Sequence, residues 1–368
     1  MSAHWKARPE GGGVFAIRLI RGIGLRGGRP LARACLYPIT LYFLLRRGPE
    51  RRASRAYLTR ALGRPATLAD VARHIHCFAA TILDRLFLLG DRRGGRTPGQ
   101  RAGAGRAQGR SDEARFDDGR FDIRVSGLDA LHAAIDRGRG LLLFGSHLGS
   151  FEVLRVLKRA RPEVPLRVVL DRGHNPALTR LLEELDPELA ASVIDAGQDG
   201  PAIMLAIQQA VAQGAMVALL VDRVHPGGGA VRVPFLGREA PWPLAPWQIA
   251  AVLQVPVLLA FGLYRGGNRY QLAFEPFAPE GLRLARGERA RAIPALIAGY
   301  VARLEDRVRA APYNWFNFYD FWDADDARQA SPLDDAGAGA GPRPAAGPAP
   351  GMVAAGRRVG AGAALPGG

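Results

Sequence analysis

Short, wholly apolar runs alternate with stretches of helical periodicity through the middle of the chain. The runs have the length of buried strands, and the stretches between them carry apolar residues three and four positions apart. Strands that are apolar throughout are expected where helices cover both faces of a sheet. The pattern therefore predicts an α/β fold, with a central, mostly parallel sheet flanked by helices. The predicted strands are 140–146, 166–170, 192–196, 215–222, 256–264 and 269–277, and the predicted helices are 150–160, 175–185, 201–214, 244–254 and 289–312.

The first 91 residues carry a different pattern, which predicts an amphipathic, basic helical region next to a membrane. Their most apolar stretch, 34–45, is interrupted by Pro38 and is short for a bilayer span, so we expect it to lie in the membrane interface. The stretch 67–90 repeats apolar positions at helical spacing, with Thr67 as a plausible cap and Gly90 as a plausible stop.

Two segments have little apolar content of the kind that builds a core. Residues 92–115 are rich in Gly and Arg and are expected to form a flexible loop. Residues 326–368 are rich in Ala, Gly and Pro and are expected to form a disordered tail. We therefore expect one domain, in which residues 1–91 pack against an α/β core at 116–325.

The charge of the chain is strongly positive, with a formal net value of +16. Residues 1–60 alone hold thirteen Lys or Arg against two acidic residues. Such a surplus suits an anionic partner, namely nucleic acid, an anionic lipid surface or an acidic carrier protein. The Gly/Arg segment has no interleaved aromatic residues that would stack on bases, so nucleic acid is not the expected partner. Cys35 and Cys77 form neither a disulfide framework nor a metal spacing, which favours a reducing, cytosol-facing compartment.

The strand predicted at 140–146 ends directly before His147, and Glu152 follows five residues later. Glycine and serine between them allow a turn, which would place Glu152 in the first turn of the next helix and within reach of one imidazole nitrogen. A histidine oriented by a carboxylate is the usual form of a general base. No GxSxG motif and no nearby cysteine supplies a nucleophile, so the base would activate a hydroxyl of the substrate. The structural alternative is that His147 caps a helix or fills the core.

Two further predicted strands also end in charged residues. Arg172 stands at the tip of one strand, where a cation suits phosphate or carboxylate recognition, although an ion pair with Asp171 or Glu183 is the structural alternative. Asp222 ends another strand, and the Gly-rich turn "PGGG" at 226–229 after it is expected to form a flexible flap over the site, with the segment 233–237 following. Functional groups gather where the strands of such sheets end, so these side chains are expected at one edge.

With these residues in place, the chain resembles the lipid A biosynthesis lauroyl/myristoyl acyltransferase family of the lysophospholipid acyltransferase-like superfamily. "SHLGSFE" at 146–152 matches the family's Asn/Ser-His-x4-Asp/Glu motif. The block "DRGHNPALTRL" at 171–181, "VDR" at 221–223 and "VPFLG" at 233–237 follow it in the family's order. The resemblance covers roughly residues 4–323, apart from the Gly/Arg segment.

The resemblance implies an acyltransferase that moves a fatty acyl chain from an acyl carrier protein thioester, or from acyl-CoA, to a hydroxyl of a membrane glycolipid. It implies His147 as general base and Glu152 as its partner. Residues that would bind an anionic head group or place the acyl donor are Arg172, Asn175 and Arg180, and Asp222 would support the site. It implies neither a cofactor nor a metal. The expected location is the cytoplasmic face of a bacterial inner membrane, with an anionic membrane surface as a further partner.

Three other functions stay open on the sequence. A glycerol-phosphate or lysophospholipid acyltransferase would share the chemistry, although His-x4-Asp is more usual there than the Glu152 of this chain. A basic protein that binds nucleic acid or membrane through its Arg-rich segments would need no His147. A metal hydrolase would gather His147, Glu152 and Asp222 around a cation, although no HExxH motif is present.

Overall fold

Six strands of the computed structural model coincide with the six predicted ones, and a single large sheet contains all six. The strands are β1 Glu113–Asp117, β2 Asp122–Ser126, β3 Leu141–Gly145, β4 Leu166–Leu170, β5 Val193–Asp195, β6 Met216–Leu220, β7 Ala230–Phe235, β8 Arg238–Pro243, β9 Val257–Tyr264 and β10 Arg269–Ala278. Within the described residues, an eight-stranded sheet has the order β1-β2-β10-β9-β3-β6-β4-β5. The neighbours from β9 to β5 are parallel, while β1–β2 and β9–β10 are antiparallel. The predicted central, mostly parallel sheet is confirmed.

Helices cover this sheet on both sides. The structure describes residue 22 and residues 28–89, 113–117, 120–154, 161, 163–173, 179, 183–184, 187–225 and 227–322. The α-helices in these ranges are α1 Leu36–Arg46, α2 Gly48–Leu62, α3 Leu68–Leu89, α4 Leu128–Asp136, α5 Pro187–Ala191, α6 Gly200–Ala212, α7 Ala245–Leu253 and α8 Arg289–Ala310. Short 3-10 turns occupy Phe151–Leu154, Arg286–Glu288 and Pro312–Asn314. The predicted helix 150–160 is described only in its first turn, and most of the predicted helix 175–185 lies outside the described residues.

Alternate residues of the central strands supply two separate hydrophobic cores. In β3, Leu142 and Phe144 belong to one core, and Leu141 and Leu143 belong to the other. The first core also contains residues of α2, α6, α7 and α8, and the second contains residues of α1 and α4. The long helix α3 contributes to both. Both faces of the sheet are therefore buried at its centre, which explains why β3, β6 and β9 are apolar throughout.

Two segments outside the predicted strands pair as strands in the structure. β1 begins at Glu113, at the end of the segment 92–115, and pairs with β2 through residue pairs such as Ala114 and Val125. The segment 233–237, which follows the Gly-rich turn, belongs to the β7–β8 hairpin. Phe235 and Trp242 of this hairpin are fully buried in the core. Burying two large aromatic side chains fixes the hairpin in place, since each removes a large apolar surface from water.

Residues 28–89 of the N-terminal region are mostly helical, as the periodicity predicts. Helices α1 and α2 both pack on α3, and α2 reaches the core through Tyr57 and Leu58. On α1, the large side chains of Tyr37, Leu41 and Leu45 remain 71%, 56% and 70% exposed. Their spacing of four residues places them on one face of the helix. Of the helices that the structure describes, none has the length and apolar content needed to cross a bilayer.

Candidate active site

The register of the central strands brings His147 and Asp222 together. Strands β3 and β6 are parallel neighbours in which Gly145 pairs with Leu220. His147 and Asp222 each follow this pair by two residues, so the two side chains emerge at the same height on adjacent strands. A histidine and a carboxylate that are 75 residues apart in sequence thereby become neighbours at the carboxyl edge of the sheet.

A close hydrogen bond joins the imidazole to the carboxylate. The distance from His147 Nδ1 to Asp222 Oδ1 is 2.7 Å, and the backbone amide of His147 also donates to Asp222 Oδ2, at 2.9 Å. An ionised carboxylate can only accept hydrogen bonds, so Nδ1 must carry the proton. The opposite nitrogen, Nε2, then has the lone pair that takes up a proton. The His147 side chain keeps 26% of its surface exposed, so the ring is partly accessible to a substrate.

The Asp222 side chain is fully buried but well supplied with donors. Besides the two groups of His147, the indole Nε1 of Trp315 donates to Oδ2 at 3.1 Å and the Asn317 amide nitrogen donates at 3.2 Å. Burial alone would raise the pKa of Asp222, but the interaction with His147 and the charge of Arg223 outweigh it and lower the pKa to about 2. The carboxylate is therefore ionised at neutral pH.

The His147 imidazole is held in its neutral form. Burial lowers its pKa, and the positive charges of Arg223 and Arg85 act in the same direction, whereas Asp222 opposes them. The net effect is a pKa below the ordinary value of 6.5. A neutral ring with a lone pair at Nε2 is the form that a general base requires at neutral pH.

Glu152 does not orient the imidazole, which corrects the partner expected from the sequence. In the 3-10 turn Phe151–Leu154, Glu152 Oε1 lies 2.6 Å from the Nε of Arg85, a residue of α3. Its other oxygen accepts a hydrogen bond from the Ser150 hydroxyl at 3.0 Å. The ion pair with Arg85 and the hydrogen bond from Ser150 engage both oxygens of Glu152, while Nδ1 of His147 is bonded to Asp222. Glu152 thus pairs with a cation whose charge acts on His147.

The remaining predicted site residues are only partly brought to this edge. Arg172 follows β4, but its guanidinium donates to the Ala190 carbonyl of α5 and its backbone amide bonds to Asp195 Oδ1 at 3.2 Å. The structure therefore holds this guanidinium against the β5 side of the sheet. Asn175 and Arg180 lie outside the described residues.

A backbone crossing fixes the loop that carries His147. The Ser150 amide donates to the Gly262 carbonyl of β9 at 2.7 Å, and Gly149 has φ +76°. A Cβ atom at Gly149 would lie 1.9 Å from the Gly262 oxygen, so the approach requires glycine. Residues 313–317, which we call the strap, pair with the loop from the other side. The Gly149 amide donates to Asn314 O and the Phe316 amide donates to His147 O, both at 2.7 Å.

Sequence reasoning missed the residues that support the dyad. Arg223 donates through Nε to Asn317 Oδ1 at 2.7 Å and through its terminal nitrogen to Phe316 O at 3.0 Å. Arg223 is adjacent to a residue that the sequence had indicated, but the strap is separated from it by more than 90 residues. The strap sequence contains two asparagines among aromatic residues, directly after the predicted helix 289–312. This was the only feature that could have indicated its role. Among the described residues, no group of three or more His, Cys, Asp or Glu side chains is placed to hold a metal ion.

These features place a hydrogen-bonded histidine–aspartate pair at the carboxyl edge of the sheet of an α/β protein. A family model for the bacterial lipid A biosynthesis acyltransferases matches residues 107–323. The match spans more than half of the 368 residues, and the chain therefore belongs to this family and is an acyltransferase. The resemblance predicted from the sequence is confirmed. Comparison with curated proteins gives no match.

Proposed function

We propose that the protein is a membrane-associated O-acyltransferase that moves a fatty acyl chain from a thioester to a hydroxyl of a lipid A-like glycolipid. The observation that carries the proposal is the buried Asp222 bonded to Nδ1 of His147, which leaves a neutral Nε2 to act as base. Family membership supports the reaction class and a lipid A-like substrate. The acyl donor would be the thioester of an acyl carrier protein or of CoA.

The reaction needs only one proton carrier on the protein. Nε2 of His147 takes the proton of the acceptor hydroxyl, and the hydroxyl oxygen forms a bond to the thioester carbonyl carbon. The carbonyl electron pair moves to its oxygen and returns when the carbon–sulfur bond breaks. The thiolate leaves and receives the proton from the imidazolium. Asp222 stabilises that imidazolium while the bond is being made.

The exposed apolar face of α1 supports contact with a membrane. Tyr37, Leu41 and Leu45 form this face, and Arg46 and Arg47 lie at its end. An amphipathic helix with basic ends binds the interface of an anionic bilayer without crossing it. Both proposed donors are cytosolic thioesters, so we propose that the protein works at the cytoplasmic face of the bacterial inner membrane.

The catalytic proposal is tested by replacing the base. His147→Ala is expected to lower acyl transfer from an acyl carrier thioester to a glycolipid acceptor by at least about 10²-fold, the usual contribution of a positioned base. His132→Ala, in α4 on the surface of the same domain, serves as the matched control and should retain activity. Circular dichroism checks that both variants fold. A folded, fully active His147→Ala protein would refute the mechanism.

The acceptor and the donor need separate measurements. Mass spectrometry of lipids from a strain that lacks the protein should show a glycolipid that is lighter by one acyl chain. A change confined to glycerophospholipids would instead identify a lysophospholipid acyltransferase. For the donor, kcat/KM is compared between carrier and CoA thioesters of the same chain. A preference for the carrier that weakens as salt increases would support docking of an acidic carrier on the basic surface.

A further inference from the structure

The side chain of Asn317 contacts both charged groups that follow β6. Its amide nitrogen donates to Asp222 Oδ2 at 3.2 Å, and its amide oxygen accepts from Arg223 Nε at 2.7 Å. Asn317 is only 1% exposed. A carboxylate can only accept and a guanidinium can only donate, so the orientation of the amide between them is unambiguous.

The strap fixes the position of Arg223 as well. A second bond runs from Arg223 to the Phe316 carbonyl at 3.0 Å, and the guanidinium lies 5.7 Å from the ring centre of Tyr319. The amide oxygen and the carbonyl are neutral acceptors, so they orient the guanidinium without cancelling its charge. The positive charge of Arg223 therefore lies close enough to His147 to disfavour protonation of the imidazole ring.

We propose that Asn317 is a positioning residue that couples the base to a cation. It holds Asp222 toward His147 and, through the same amide, holds Arg223 where negative charge develops on the thioester oxygen. A donor fixed in advance stabilises such an oxyanion far more than one that must reorient during the reaction. This inference rests on the proposed function, because the oxyanion exists only if His147 delivers an alkoxide to a thioester.

A comparison of Trp315 and Asn317 variants separates the two parts of the role proposed for Asn317, which are to support Asp222 and to position Arg223. Its indole donates to the same oxygen of Asp222 at 3.1 Å, and the bonds of Arg223 to the strap run instead to the Asn317 side chain and the Phe316 carbonyl. Trp315→Phe keeps a large ring in the core and removes one donor to Asp222. Asn317→Leu keeps the volume and removes both bonds. The two variants therefore differ in what happens to Arg223.

The first readout is the titration of His147, followed by NMR of the protein labelled with ¹³C-histidine. The charged groups that act on the ring are Asp222, Arg223 and Arg85, and Arg85 forms an ion pair with Glu152. Losing a donor to Asp222 strengthens its attraction for an imidazolium, and releasing Arg223 removes a repulsion. Both changes raise the pKa of His147.

We expect the pKa of His147 to rise by about half a pH unit or more in Asn317→Leu, and by less in Trp315→Phe. The acid limb of kcat/KM should move in the same direction. At its optimum, kcat should fall about 100-fold in Asn317→Leu, because both the base and the cation lose their alignment. It should fall about 10-fold in Trp315→Phe. Arg223→Met is the companion variant, and it should also raise the pKa of His147 while leaving the strap intact.

Tyr313→Phe is the matched control in the same segment. The Tyr313 hydroxyl bonds to Asp70 Oδ1 at 2.7 Å, far from the dyad in the hydrogen-bond pattern. Its removal should lower Tm while leaving the titration of His147 and kcat unchanged. If Asn317→Leu behaves like this control, with a lower Tm and an unmoved pKa, Asn317 has only a structural role and the inference is wrong.

The two proposals fail in different ways. If the protein is not a thioester-dependent transferase, wild type will show no transfer that depends on His147, yet the NMR titration will still report the coupling. If only the coupling is wrong, wild type will be active and neither Asn317→Leu nor Arg223→Met will shift the pKa of His147.

Discussion

At the scale of residues, the contact with Asp222 determines which nitrogen of the His147 imidazole carries the proton. Its position was indicated by the sequence, but its role was not, because Glu152 is nearer to His147 along the chain. A local carboxylate can be found from spacing alone, whereas Asp222 is a partner only because β3 and β6 are neighbours in the sheet. Strand order is a property of the whole fold, and no short motif encodes it.

Asp222→Asn tests this assignment. The amide nitrogen can donate to Nδ1, which favours the tautomer whose proton is on Nε2 and removes the lone pair that a base needs. We expect transfer to fall by about 10³- to 10⁴-fold, by analogy with the same change in serine protease triads. Removing the negative charge should also lower the pKa of His147 further, visible in the acid limb of kcat/KM.

Glu152→Gln is the comparison for that experiment. It removes a charge from the same edge of the site but leaves the bond between His147 and Asp222 in place. Its effect on transfer should be smaller than that of Asp222→Asn. A larger loss in Glu152→Gln would mean that the carboxylate chosen from the sequence, and not Asp222, governs the base.

At the scale of elements, the loop after β3 is shaped by its contacts with β9 and the strap. The glycine and serine of "HLGS" were recognisable as a turn in the sequence. The crossing with Gly262 was not, because it joins segments that are more than 100 residues apart. The same holds for the strap, because its contacts with Gly149 and His147 also join segments that are more than 100 residues apart.

Gly149→Ala should disrupt this crossing. The added Cβ would lie 1.9 Å from a backbone oxygen, at a φ of +76°. We expect a loss of about 3 kcal/mol or more of unfolding free energy, since neither backbone can move freely. Gly237→Ala is the control, because Gly237 has φ +78° with no atom within 4 Å of its Cβ position. It should cost about 1 kcal/mol. Urea unfolding measures the unfolding free energy of both variants. Equal losses would show that the contact between Gly149 and Gly262 does not exclude a side chain at position 149.

The packing of α3 against α2 and the strap predicts a pH dependence of stability. His74 is fully buried, with Nε2 2.9 Å from Trp315 O and Nδ1 2.8 Å from the Ser54 hydroxyl. Burial lowers its pKa to about 4 from an ordinary 6.5. The folded state therefore prefers the neutral ring. The stabilisation is complete above pH 6.5 and is lost as the pH falls toward 4.

The size of this effect can be measured with one variant. The difference between the two pKa values corresponds to roughly 3 kcal/mol. In His74→Gln, unfolding free energy should fall less steeply between pH 6.5 and 4 than in wild type. Urea midpoints at several pH values give the comparison. Parallel curves for the two proteins would show that His74 does not titrate in this way.

At the scale of the whole molecule, the sequence predicted the class of fold correctly because both faces of the sheet are covered. The apolar strands follow directly from that burial. The edge of the sheet formed by β1, β2 and β10 was harder to predict from the sequence, since β1 reads "EARFD" and has little apolar content. The division into regions 1–91, 92–115, 116–325 and 326–368 stays a prediction.

The exposed face of α1 gives a prediction at this scale. Replacing Tyr37, Leu41 and Leu45 together with Ser should weaken binding to anionic vesicles by about 100-fold or more, since each large side chain contributes on the order of 1 kcal/mol or more when buried. Leu205→Ser and Val252→Ser are the controls, because these residues are similarly exposed but lie on other helices. Vesicle co-sedimentation measures binding. If the triple variant binds as well as the controls, α1 is not the contact surface.

If His147 is the base proposed above, the position of the strap also sets the point in synthesis at which the enzyme can first become active. Asp222 receives donors from residues that are made 93 and 95 positions later. A nascent chain that has reached the end of α8 already contains His147, Glu152 and Asp222, but its buried carboxylate still lacks two of its partners. On that proposal, acyl transfer has to await residues 315–317, and a truncated product that ends before them would contain His147 and Asp222 but lack two of the donors to Asp222.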